Sequence, residues 1–163
     1  MSNNTPQKIS RVGLALAFAE QEGWFNSTIH GLNRPQRDNN PGDLEWAPTR
    51  FVQGIKDGPY CRFPSWLIGW AALENDLDAK IKRGLNLYET INIYCPVGDA
   101  DNDPLRYCNN VAGNLGIDPY TPLIDLVSEV AGVREPWKKA PKPGLPCPDW
   151  LHLANYISAN VTI

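Results

Sequence analysis

The sequence holds no apolar run near the roughly 20 residues that a membrane-crossing helix needs, so insertion into a membrane is not expected. Basic residues are in deficit. Fifteen Lys and Arg face eighteen Asp and Glu, for a net charge of −3 and a pI near 5.3. Phosphate binding rests on clustered Lys and Arg, so nucleic acid is not expected as a partner. The one basic cluster, Arg134, Lys138, Lys139 and Lys142, reads as a solvated C-terminal segment. The opening "MSNNTPQKIS" lacks a charged stretch followed by an apolar one, and no secretory signal is expected. Histidine occurs only twice, and none of the four cysteines (Cys61, Cys95, Cys108 and Cys147) forms a C-x-x-C pair. That argues against a zinc site, and neither a metal nor any other cofactor is expected. A Cys95–Cys108 disulfide and four free buried thiols both remain open.

What is present suits a single domain over residues 1–163, long enough to bury a core. The apolar spacing predicts a first helix from about Pro6 to Glu22, stopped by Gly23. Residues 26–63 are rich in Asn, Gly, Pro and Asp. They read as loops with a small β-hairpin, Asp43–Trp46 against Arg50–Gln53 or Tyr60–Phe63. Ser65 caps the strongest helix, whose stripe of Trp66, Trp70, Leu73, Leu77 and Ile81 ends before Gly84. A short helix follows a Thr90 cap. Another starts at Asp103-Pro104 and ends near Gly116, and a third runs from Thr121-Pro122 to about Ala131. A Pro-rich wrap at about 135–148 precedes a final helix capped by Asp149. The fold class expected is mainly α (α+β), with a small β-hairpin.

Chemistry concentrates in two stretches. In "AFAEQEGWF", residues 17–25, Glu22 closes a helix face that carries Ala15, Phe18 and Ala19. An apolar wall and the negative end of the helix dipole both favour the protonated carboxyl, as a glycosidic general acid requires. Glu20 lies elsewhere around the helix and is expected to be partly solvated. In "RPQRDNNPGDLEW", residues 34–46, the Asx residues and Pro-Gly build a tight polar turn. Asp99, Asp101 and Asp103 have calcium-loop spacing, but Pro104 and Asn110 stand where an EF-hand needs Gly and Glu, so the segment reads as a loop feeding a helix cap. Trp24 and Trp46 flank loops and are candidates for stacking on sugar rings.

Together, Glu22-Gly23-Trp24, the turn from Arg37 to Leu44, Phe63 with Gly69 and Ala72, Thr90-Ile91, and Tyr107 to Val111 with Leu115-Gly116 form a pattern. It resembles the phage and prophage peptidoglycan hydrolases of the lysozyme-like superfamily, near the lytic transglycosylases, over roughly residues 9–125. The resemblance implies a lysozyme-like helical domain that cleaves the β-1,4 bond between N-acetylmuramic acid and N-acetylglucosamine. It assigns Glu22 as the acid. Asp38 is the candidate second carboxylate, because this sequence carries Asp38 and Asp43 where relatives more often have Asn. Trp24, Arg37, Asn39, Asn40, Trp46 and Tyr107 are the candidate substrate-binding residues. Peptidoglycan glycan strands would be the partner of a monomer, made in the host cytoplasm and released to the wall, or carried in the virion. Trapping by water and trapping by the substrate's own 6-hydroxyl both remain open. A non-catalytic virion or saccharide-binding module of lysozyme-like shape, and a chitinase, are the rival readings.

Overall fold

The structure, a computed structural model, describes residues 8–26, 31–98 and 102–128. The Pro-rich wrap, the Asp149 helix, Cys147, Asp99, Asp101 and the basic cluster lie outside these. In chain order the elements are β1 (Ile9–Ser10), α1 (Arg11–Gln21), α2 (Arg34–Arg37), β2 (Ile55–Asp57), β3 (Tyr60–Arg62), α3 (Trp66–Lys82), α4 (Leu87–Tyr94), α5 (Pro104–Leu115), α6 (Leu123–Leu126) and β4 (Val127–Ser128). Of the described residues, 49% are helix and 12% strand, so the fold mixes the two. The described chain divides into two compact units, residues 8–21 with 74–128 and residues 22–73, with the second division inside α3.

In the first unit, α1 starts five residues later than the apolar spacing predicts. Ser10 accepts a hydrogen bond from the Gly13 amide at 2.9 Å and so acts as the helix cap. Ile9 and Ser10 are strand, paired in parallel with Val127 and Ser128. That pairing also corrects the helix expected from Thr121-Pro122 to Ala131. It is a single turn, α6, which gives way to β4 where β-branched Val127 enters the ladder.

The α1 helix buries Leu14, Ala15, Phe18 and Ala19 completely. The Phe18 ring meets Tyr94 edge-on at 5.1 Å and Tyr107 at 5.7 Å. On the rim, Asn114 donates to the Glu20 carboxylate at 3.3 Å, and Glu20 is solvent-exposed as expected. Thr90 is not a cap. The Asn86 and Glu89 side chains form a reciprocal capping box that starts α4 at Leu87. The Asp103 cap, Pro104 at the first position and left-handed Gly116 delimit α5 as the sequence predicts.

The second unit contains the antiparallel hairpin β2–β3, with Asp57 opposite Tyr60 across Gly58-Pro59. Gly58 has φ +60°, which suits the first position of such a tight turn. Tyr60–Arg62 is therefore one strand of the hairpin, but its partner is Ile55–Asp57. The Asp43–Trp46 segment contributes only a bridge from Glu45 to Tyr60. Phe51 and Phe63 pack edge to face at 6.0 Å within this unit.

Among the described residues Cys61, Cys95 and Cys108 are joined by no disulfide, so the Cys95–Cys108 bridge does not form. Burial pushes the Cys61 and Cys108 thiols up from their ordinary range, which leaves them poor nucleophiles at neutral pH.

Candidate functional site

Glu22 lies half-buried in the turn that follows α1, not inside the helix. Gly23, at φ +76°, reverses the chain there. What holds this turn comes from the start of α2. Asn33 caps α2, and its side-chain nitrogen also donates to the Gly23 carbonyl at 2.7 Å. Gln36 completes a capping box with Asn33, and its Nε2 donates to the Trp24 carbonyl at 2.8 Å. Gln36 is 2% exposed, so this bond is shielded from water and correspondingly strong. The pair of side chains that starts the helix thus also fixes the turn bearing Glu22.

The turn after α2 is clamped from several sides. Asn40 is fully buried, with its Nδ2 donating to the Leu44 and Cys61 carbonyls at 2.9 Å each and its Oδ1 accepting from the Leu44 amide at 2.8 Å. Asn39 donates to the Phe63 carbonyl at 3.1 Å, and the Phe63 amide donates to the Asp38 carbonyl at 2.8 Å. Asn39 and Asp43 have φ of 52° and 47°, and among the described residues they are the two non-glycine positions with positive φ. Such left-handed backbone is uncommon outside glycine, although Asn and Asp tolerate it best. Arg34 forms a two-pronged ion pair with Asp43, and its guanidinium lies 3.6 Å over the Tyr60 ring. The bond to Asp43 raises the Arg34 pKa further.

The first turns of α3 complete the clamp. A Cβ placed on Gly69 would stand 1.8 Å from the Asn39 carbonyl oxygen. Because the obstacle is backbone, Gly69→Ala must displace the Asn39 turn. The expected cost is about 1–3 kcal/mol, as for other overpacked sites. Gly113, whose Cβ would meet nothing within 4 Å, provides the control. Thermal denaturation should show a clear loss for Gly69→Ala and none for Gly113→Ala. Equal melting temperatures for the two variants would contradict this packing.

The structure redistributes the candidate residues. Asp38 has a side chain 1% exposed, and its Oδ1 accepts from the Nε of Arg37 and of Arg62 at 3.3 Å each. A carboxylate so enclosed is a structural counter-ion and is poorly placed to activate water. Trp24 is fully buried, so its ring is core and not a sugar platform. Asn40 spends its amide on the protein itself. Tyr107, 6% exposed, belongs to the first unit, where its ring packs on Phe18 and Tyr94. Arg37, exposed, and Asn39 and Trp46, half-buried, remain available near the clamped turn.

Three residues escaped the sequence reading, Asn33, Gln36 and Arg62, and Gly69 was read only as part of the resemblance, without its contact on Asn39. The first two carry a legible signal, the N-x-x-Q spacing of a capping box. Among the described residues no group of acids, histidines and cysteines is arranged to hold a metal, and no helix is long and apolar enough to cross a membrane. Comparison of the chain with models of protein families, with characterised proteins and with solved structures returns no match.

Proposed function

We propose that this protein is a peptidoglycan-degrading glycosidase with a lysozyme-like fold, which cleaves the β-1,4 bond from N-acetylmuramic acid to N-acetylglucosamine with Glu22 as the proton donor. One observation carries the reading. Asn33 and Gln36 tie the Glu22 turn to the Arg- and Asn-rich segment, the two stretches whose combination the sequence resemblance rests on. A half-buried carboxyl on a turn fixed by buried hydrogen bonds is what positioned acid catalysis requires.

In the proposed reaction the Glu22 proton passes to the glycosidic oxygen as the C1–O4 bond breaks and positive charge develops on the muramic ring. The ion-pairing of Asp38 and Asp43 with arginines favours trapping that needs no second carboxylate. The muramic 6-hydroxyl then attacks C1 and returns its proton to Glu22, which leaves a 1,6-anhydro product. No water is consumed in this route.

The test is incubation with purified sacculi and, in parallel, with chitin. Soluble saccharide should appear from sacculi and not from chitin. Folded protein that dissolves neither would favour a non-catalytic module, and preferential release from chitin would move the substrate.

A further inference from the structure

Arg62 is drawn into the site by Asp38. Its Nε and that of Arg37 share one carboxylate oxygen at 3.3 Å each, so a single acid anchors both guanidinium groups. Among the described residues, Arg37 uses only its Nε in hydrogen bonds. Arg62 uses its Nε and one terminal nitrogen, the latter on Asp57. The four charges cancel in sum but not in position. The Asp38 side chain is 1% exposed, whereas those of Arg37 and Arg62 are 55% and 44% exposed. Solvent therefore meets both guanidinium groups and, on Arg62, the 38% exposed Asp57, while Asp38 is covered; spare N–H donors remain on both arginines. Arg37 alone would balance Asp38, and Arg62 is held between Asp38 and Asp57. Two guanidinium groups anchored by one buried acid make a preorganised receptor for a planar oxyanion.

We propose that Arg37 and Arg62 form a carboxylate-binding subsite that takes a free carboxylate of the peptide stem carried by the muramic residue, and so select stem-bearing glycan over neutral chitin. This inference rests on the glycosidase reading of Glu22. Phosphate of a wall polymer offers related chemistry, but the overall charge of −3 opposes a polyanion.

The test is binding by the full chain carrying Glu22→Gln, which keeps the ligand uncleaved. The probes are a soluble disaccharide tripeptide with free carboxylates, the same compound with them amidated, and a wall teichoic acid. Amidation should weaken binding roughly tenfold or more, the scale of a charge-assisted hydrogen bond. Adding Arg37→Gln, a change at an exposed side chain that leaves Arg62 on Asp38, should bring the free-carboxylate probe down to the amidated one. Its affinity for the amidated probe should stay unchanged, which a merely structural role for Arg37 would not give. Adding Arg62→Lys should weaken the free-carboxylate probe while keeping a cation beside Asp38.

Equal affinity for both muropeptides, a loss with Arg37→Gln that is the same for both, or no binding to either would each overturn the subsite. Preferential binding of teichoic acid would overturn the assignment to a peptide carboxylate. The glycosidase reading is judged separately, by dissolution of sacculi by the unaltered chain. It stands if sacculi dissolve while these binding differences are absent.

Discussion

Glu22→Gln should abolish dissolution of sacculi while leaving the circular dichroism spectrum and melting temperature close to those of the unaltered chain. The substitution nearly preserves the side chain's shape but removes the transferable proton. General acid–base catalysis is worth about 10²–10⁴-fold, so residual turnover should fall by that order. Two controls sharpen the result. Glu20→Gln should retain most activity, since Glu20 is exposed and, among the described residues, bonds to Asn114. Asp38→Asn should lower stability by loosening Arg37 and Arg62, yet the folded variant should still act. A folded Asp38→Asn protein as inactive as Glu22→Gln would establish a two-carboxylate mechanism and remove the 6-hydroxyl route. Reversed effects at Glu20 and Glu22 would shift the acid by two residues.

The largest expected loss of stability is at Asn40→Ala. The substitution leaves the Leu44 amide and the Cys61 carbonyl without the carboxamide that now pairs them, while the Leu44 carbonyl keeps the Cys61 amide. Each buried polar group left unsatisfied costs about 1–3 kcal/mol. The combined loss is a large part of the roughly 5–15 kcal/mol that holds a typical domain folded. Chemical denaturation should show the midpoint falling steeply, and lysis should fall with it, because this carboxamide ties Leu44 at the far end of the clamped turn to Cys61 of β3. An Asn40→Ala chain with an unchanged midpoint and unchanged lysis would remove the turn from the account.

What the sequence revealed of the fold follows the reach of each signal. α3 and α5 were legible because their caps, Ser65 and Asp103, and their stops, Gly84 and Gly116, lie within the elements' own span. The parallel pair β1–β4 was not, because its partners stand more than a hundred positions apart and each strand is two residues long. Thr90 was misread because "TINIY" carries an apolar pattern that hides the stronger Asn86–Glu89 box just before it. The hairpin was half legible: Tyr60–Arg62 was in view, while Ile55–Asp57, exposed in part on every side chain, lacks the apolar alternation of a half-buried strand.

The candidate site divides the same way. The chain reversal at Gly23 and the tight Asn-Pro-Gly turn were legible from residue type, whereas the left-handed backbone of Asn39 and Asp43 was not read. That Trp24 is core, that Asp38 is covered by Arg62, and that Gly69 admits the Asn39 carbonyl are tertiary facts with no local signature. Asp38 and Arg62 meet across 24 positions of sequence. A loop Trp and a turn Asp look alike in sequence whether solvent or protein faces them.

The most direct measurement is mass spectrometry of the muropeptides released when the chain digests purified sacculi. The account predicts disaccharide peptides whose muramic residue carries a 1,6-anhydro ring, with the peptide stems intact and no such products from the Glu22→Gln chain. Release of fragments cut within the stem, of products with a reducing N-acetylglucosamine end, or of identical products from the Glu22→Gln chain would contradict it.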